Sequence, residues 1–204
     1  MRKGLVRTIE NEVDLNVAGQ MSSAEEALDE IEALDPALAI VDISLPGMSG
    51  MELTKHLQSR RPALQILVVS RHDETLYAER CLRAGAKGYL TKQEAGDVIV
   101  KAIRKVLNGR IFVSEEINER LLQSMAEGGQ RIMKSPLEVL SDRELEVFEL
   151  TGQGHSTRDI AERLHLSVKT VESYRARIKD KLNLDSGNEL MTHAVQWVES
   201  EDAP

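Results

Sequence analysis

Short β-branched apolar runs alternate with segments of helical period from the start of the chain to Asn108, and this alternation restricts the fold more than any other feature. A helix over about residues 2–11 precedes "LNVAG" (15–19), which has the length and composition of a strand. "SAEEALDEIEAL" then carries helical spacing, with Ser22 or Ser23 as its cap. The strands "ALAIVD", "LQILVVS" and "KGYLT" lead into the helices "SGMELTKHLQSR", "DETLYAERCLRAG" and "AGDVIVKAIRKVLNG". Gly85 ends the second of these helices and Asn108-Gly109 the third. Four strands and five helices in this order are βα units, which predicts an α/β domain with a parallel sheet and helices on both faces.

The pattern changes after that repeat. "SEEINERLLQSMA" (114–126) predicts a further helix capped by Ser114, and "EGGQRIMKSP" behind it is polar, glycine-rich and ended by proline, as a linker is. Beyond Pro136 no strand-like run occurs. Ser141, Ser156 and Ser186 each stand three residues before an acid (Glu144, Asp159 and Glu189), the signal of a capping box, and Ser167 opens a fourth helix. The expected organisation is an α/β domain at 1–110, a helix-containing linker at 111–136 and a small four-helix domain at 137–200.

The 204 residues suit two ordinary domains, and the net charge of −8 means that any surface meeting nucleic acid must be locally basic. No apolar run approaches the roughly 18 to 20 residues that a membrane span needs, and acids come too early at the N-terminus for a secretory signal. A cytoplasmic location is expected. The single cysteine, Cys81, can form no intrachain disulfide or thiolate cluster and reads as a small buried hydrophobe.

Open parallel sheets collect chemistry at the carboxyl ends of their strands. Asp42 ends one predicted strand in "AIVDISLPG", Ser70 ends the next, and Lys92 lies just past the following one. A carboxylate can attack phosphorus, a lysine can pair with phosphoryl oxygens, and a hydroxyl can hydrogen-bond to them. Taken singly, Asp42 could cap a turn, Ser70 could cap a helix and Lys92 could be a solvated side chain. A phosphatase with a D-x-D nucleophile pair also ends a strand with Asp, but here the second position is Ser44.

With "VDISLPGMSG", "LVVS" and "GAKGYLTK", residues 1–110 resemble the receiver domain of two-component response regulators, a flavodoxin-like fold phosphorylated on aspartate. The resemblance implies Asp42 as phosphoacceptor, Ser70 and Lys92 as contacts of the phosphoryl group, and Tyr89 as the aromatic that changes rotamer with Ser70. It also implies Mg²⁺, held by Asp42, the backbone carbonyl of Ser44 and an acidic pair that ends the first strand of a receiver. This sequence opens inside what should be the first helix, so that strand and its acids are absent from it; Glu10, Glu12 and Asp14 fall after the helix. A start codon upstream of Met1 is one expectation, a receiver-like module that takes no phosphate a second, and a strand supplied by another chain a third.

In "STRDIAERLHLSVKTVESYRARIKDKL" a short helix from Ser156 to Leu164, a turn His165-Leu166-Ser167 and a longer helix from Val168 to Leu182 form a helix-turn-helix. Ala161 is small where the two helices approach, and Ile160, Leu164, Leu166, Val171, Ile178 and Leu182 are the expected buried side. The longer helix has five basic residues (169, 175, 177, 179, 181) against two acidic ones (172, 180), a local charge of +3. Residues 140–182 resemble the LuxR-type DNA-binding domain, and beside the receiver they resemble the NarL/FixJ subfamily of transcriptional response regulators. That resemblance implies Lys169, Thr170, Arg175 and Lys179 on DNA phosphates, with Glu172, Ser173 and Ala176 facing base edges. It implies a regulator and not an enzyme, with a sensor histidine kinase, double-stranded promoter DNA and a second copy of the chain as partners. RNA polymerase is a further candidate partner. A LuxR-type factor with a degenerate receiver, working without phosphorylation, is the alternative.

Overall fold

The computed structural model describes residues 2–126 and 136–201; residues 127–135, most of the expected glycine-rich linker, lie outside the described residues. The chain forms two compact units, Met1–Gln130 and Arg131–Pro204. The first contains α1 (Arg2–Glu10), α2 (Ala24–Leu34), β1 (Leu38–Val41), α3 (Gly50–Arg60), β2 (Gln65–Ser70), α4 (Glu74–Arg83), β3 (Gly88–Thr91), α5 (Ala95–Leu107) and α6 (Glu115–Ala126).

The three strands pair in parallel in the order β1-β2-β3, with Leu38 beside Gln65 and Leu67 beside Gly88. Along β2, Ile66, Leu67, Val68 and Val69 are all buried, so both faces of the sheet are covered, as the unbroken apolar run required. Leu67 and Val69 face a core built with Ile9 of α1, Leu90 of β3 and Ile99, Ile103 and Val106 of α5. Ile66 and Val68 point the other way by the two-residue period of a strand. Met51 of α3 and Cys81 of α4 bring their sulfur atoms within 3.3 Å, and Cys81 is buried, as its sequence context suggested.

One expected strand is missing. The segment 15–19 has no regular structure, which makes the described sheet three-stranded rather than four-stranded. Leu15 and Val17 still pack against the core beside Leu38 and Ile40. Their alternation therefore reports burial. A strand also needs a neighbour to bond with, and among the described residues no backbone hydrogen bond joins 15–19 to β1.

The far edge of β3 is closed by the chain leaving α5: the Tyr89 N–H donates to the Phe112 carbonyl and the Phe112 N–H to the Lys87 carbonyl, both at 2.9 Å. Helix α6 continues from there and packs on α4. Ile117 is buried, and Arg120 donates to the Thr75 carbonyl at 3.3 Å.

The second unit holds a 3₁₀ turn (Pro136–Val139), α7 (Asp142–Gly152), α8 (Thr157–Leu164), α9 (Val168–Leu182) and α10 (Gly187–Glu201). Ser141 with Glu144 and Ser156 with Asp159 form the reciprocal capping boxes read from sequence, each worth about 1 kcal/mol of helix stability. Phe148, Ile160, Val171, Ile178, Leu190 and Ala194 build the core, and Phe148 meets Trp197 at 5.9 Å between ring centres. Helices α7 and α10 touch at Gly152, where a Cβ would stand 2.3 Å from the Ala194 carbonyl oxygen.

Candidate functional site

The register of the sheet carries Asp42, Ser70 and Lys92 to one edge. Asp42 follows β1, Ser70 ends β2, and the Lys92 N–H donates to the Ser70 carbonyl at 2.7 Å just beyond β3. Lys92 and Asp42, fifty residues apart, form an ion pair through Nζ and Oδ2. Asp42 Oδ1 accepts from the Ser44 N–H at 3.3 Å, so both carboxylate oxygens already have donors. Both side chains are largely shielded from solvent, at 30% exposure for Asp42 and 17% for Lys92.

Ser70 and Tyr89 are buried and are joined through a residue that the sequence reading passed over, His72. Its N–H donates to Ser70 Oγ at 3.3 Å, its carbonyl accepts from the Tyr89 hydroxyl at 2.7 Å, and its Nε2 lies 2.9 Å from Ser44 Oγ. The imidazole also stacks on Tyr77, 4.6 Å between ring centres. Loops after two strands and a side chain from the third are thus tied by one histidine. Its only sequence signal is a place two residues beyond the strand-end serine, which is too little to single it out.

In the second unit, α8 ends at His165, whose left-handed backbone (φ 52°) turns the chain, and Ser167 caps α9 by accepting from the Thr170 N–H at 3.0 Å. Ile160, Ala161, Leu164, Val171 and Ile178 are buried, while Leu166 and Leu182 are half-buried. Lys169, Glu172, Ser173, Ala176 and Arg177 are exposed along the opposite side of α9. Thr170, Arg175 and Lys179 are half-buried, and the Thr170 hydroxyl lies 2.7 Å from that of Ser167, within the cap.

One member of the basic cluster, exposed like Lys169, is engaged by the rest of its own unit: Lys181 Nζ donates to Glu144 at 2.6 Å and to the Val139 carbonyl at 3.2 Å. With Lys181 paired to Glu144 of α7, α9 has four other basic residues against two acidic ones. Burial raises the Glu144 carboxyl, but hydrogen bonds from Lys181 and Ser141 outweigh it and hold the group below the usual carboxylate range.

Both units have counterparts among known proteins. Residues 1–104 match the response regulator receiver domain, and residues 138–194 match the LuxR family of bacterial regulatory proteins. The chain belongs to the NarL/FixJ response regulators. Among the relatives, transcriptional activator protein ExaE of Pseudomonas putida is 37% identical over 177 residues, covering 87% of this chain and 82% of the relative. Response regulator GacA of Pseudomonas aeruginosa is 33% identical over 196 residues, covering 96% of this chain and 91% of its own length. The structure of RcsB from Salmonella enterica serovar Typhimurium bound to promoter rprA with the phosphomimetic BeF₃⁻ superposes with a TM-score of 0.63 at 26% identity. It covers 95% of this chain and 92% of RcsB.

Receivers use Mg²⁺ for phosphorylation, and the ion takes near-octahedral oxygen ligands. The described residues of this response regulator do not make such a site. Asp42 brings one carboxylate whose oxygens are engaged by Lys92 and the Ser44 N–H, and no group of three or more acidic, histidine or cysteine side chains comes together among the described residues. Glu12 and Asp14 are bound at 2.7 and 2.6 Å to Arg104. Arg104 lies nine residues into α5, which starts beside the carboxyl ends of the strands. At 1.5 Å per residue that is roughly 14 Å down the helix, toward the opposite edge. No described helix of this response regulator is long and apolar enough to cross a membrane.

Proposed function

We propose that this response regulator binds promoter DNA through α9 and is switched by phosphoryl transfer from a sensor histidine kinase to Asp42. The Asp42–Lys92 ion pair carries the reading: a nucleophilic carboxylate and a phosphoryl-pairing ammonium share the carboxyl edge of the sheet. In the transfer, an Asp42 oxygen forms a bond to phosphorus as the phosphorus–nitrogen bond of the donor histidine breaks. Lys92 moves from the carboxylate to the new phosphoryl oxygens. The acyl phosphate carries about two negative charges where the carboxylate carried one, and Ser70 contacts it while the hydrogen-bonded chain of Ser70, His72 and Tyr89 repacks.

On DNA, Lys169, Thr170, Arg175 and Lys179 hold phosphates, while Glu172, Ser173 and Ala176 meet base edges; Glu172, able to accept from cytosine N4, carries sequence preference. The receiver spans 1–110 and the DNA-binding domain 137–200, joined through 111–136. Two copies bind two half-sites, and RNA polymerase is the partner downstream. A second reading, a LuxR-type factor that works without phosphate, is favoured by the donor set at Asp42, which does not make a Mg²⁺ site.

Acetyl phosphate with Mg²⁺ separates the two readings. The first expects a mass gain of one phosphoryl group and tighter binding to duplex DNA, both abolished by Asp42→Asn. Unchanged mass and unchanged DNA affinity would leave the second reading standing.

A further inference from the structure

Arg175 differs from the other cations on α9 in what holds it. It is half-buried, and its Nη1 donates to the hydroxyl of Thr157 at 3.0 Å, across the angle between α8 and α9. Thr157 is the first residue of α8, directly after the Ser156 cap, so its position is set by a capping box and by the packing of Ile160 and Ala161. Lys169, in contrast, is an exposed ammonium on a flexible stem, and Arg177 lies 5.9 Å from the Tyr174 ring.

We infer that Thr157 is a positioning residue for DNA binding, holding the Arg175 guanidinium in the orientation in which it meets a backbone phosphate. This rests on the DNA-binding reading of α9. An arginine has five N–H donors in a rigid fork, so one donor can be tied to Thr157 while others remain for phosphate oxygens. Fixing a long side chain before binding removes ordering entropy from the association step. Arg175 thus contributes more than an untethered cation of the same charge, and the tether joins both helices of the helix-turn-helix into one phosphate-contacting unit.

The test uses the full chain and a labelled random-sequence duplex of about thirty base pairs, followed by fluorescence anisotropy over a range of salt. Thr157→Val is expected to weaken binding about three- to ten-fold, the loss that follows from freeing one long side chain. It should leave the slope of log K against log salt unchanged, because the charge is still present. Arg175→Ala is expected to lower that slope by about one. Thr157→Val should add no further loss in the Arg175→Ala background, and Thr157→Ser, which keeps the hydroxyl, should restore wild-type affinity. Denaturation followed by Trp197 fluorescence checks that each variant is folded. Wild-type affinity for Thr157→Val, an equal loss with and without Arg175, or a failure of Thr157→Ser to rescue overturns the inference. Wild-type protein that shows no salt-sensitive binding to the duplex overturns the DNA-binding reading itself.

Discussion

Gly50 opens α3 just after the loop that follows Asp42, and its substitution tests how that loop holds the carboxylate. A Cβ added there would lie 1.9 Å from the Asp42 carbonyl oxygen and 2.8 Å from the Ile43 Cα. Both atoms are backbone, and the Gly50 N–H already donates to the Ile43 carbonyl at 2.9 Å, so no flexible side chain can give way. Relief requires the Asp42 carbonyl to retreat by more than about 1 Å, a shift of the kind that costs about 1–3 kcal/mol in a packed interior. Alanine's better helix propensity offsets at most about 1 kcal/mol of that. Gly50→Ala should therefore destabilise the first unit by about 2 kcal/mol, which at ordinary urea m-values is a midpoint shift of roughly 1 M. Gly96, in the first turn of α5, has nothing within 4 Å of its added Cβ and serves as the control. Gly96→Ala should stabilise by about 0.5 kcal/mol. The single tryptophan, Trp197, lies in the second unit, so its fluorescence transition should stay in place while the far-UV circular dichroism transition moves. A Gly50→Ala protein as stable as the wild type, or stabilised like Gly96→Ala, would refute the close approach of α3 to the Asp42 backbone.

Two further predictions concern acids whose ionisation the fold alters. Glu144 is held below its ordinary value of 4.5, so its contribution is present above that value and is lost as pH falls through the lower folded one. The Trp197 transition should weaken on acidification below about pH 4.5, and Lys181→Met should remove most of that dependence; an unaltered acid limb would refute the role of the ion pair. Burial pushes the Glu74 carboxyl up, with Glu94, Asp73 and Glu116 adding to it against a hydrogen bond from Ser114. A raised folded value favours the fold at low pH and loses that contribution as pH rises through it. Glu74→Gln should therefore melt higher than the wild type at pH 7 and match it near pH 4; equal melting at both would sink the assignment.

Much of this chain could be read without its coordinates, because much of it is specified by neighbours in sequence. The serines before α7, α8 and α9, the turn at His165-Leu166-Ser167 and the 3.6-residue apolar stripes depend on residues a few positions apart, and all stand where the pattern put them. The run "LQILVVS" announced a strand buried on both faces, and β2 is one. Relations between distant segments were not legible. The length and composition of 15–19 promised a strand, but composition encodes which side chains can be buried and says nothing of whether a strand edge lies alongside to accept hydrogen bonds. Lys181 counted as one more cation on α9 until the packing of α7 against α9 gave it Glu144 as a partner.

The strand-end site divides in the same way. Sequence alone determined that a carboxylate, a hydroxyl and an ammonium each follow a strand, because a strand's end is a local event. Tertiary structure decided that Asp42 and Lys92 pair, that His72 ties Ser44, Ser70 and Tyr89 together, and that Thr157 holds Arg175. Each of those contacts depends on the register of parallel strands or the crossing of two helices. Both are set by the whole core and by no single stretch of chain.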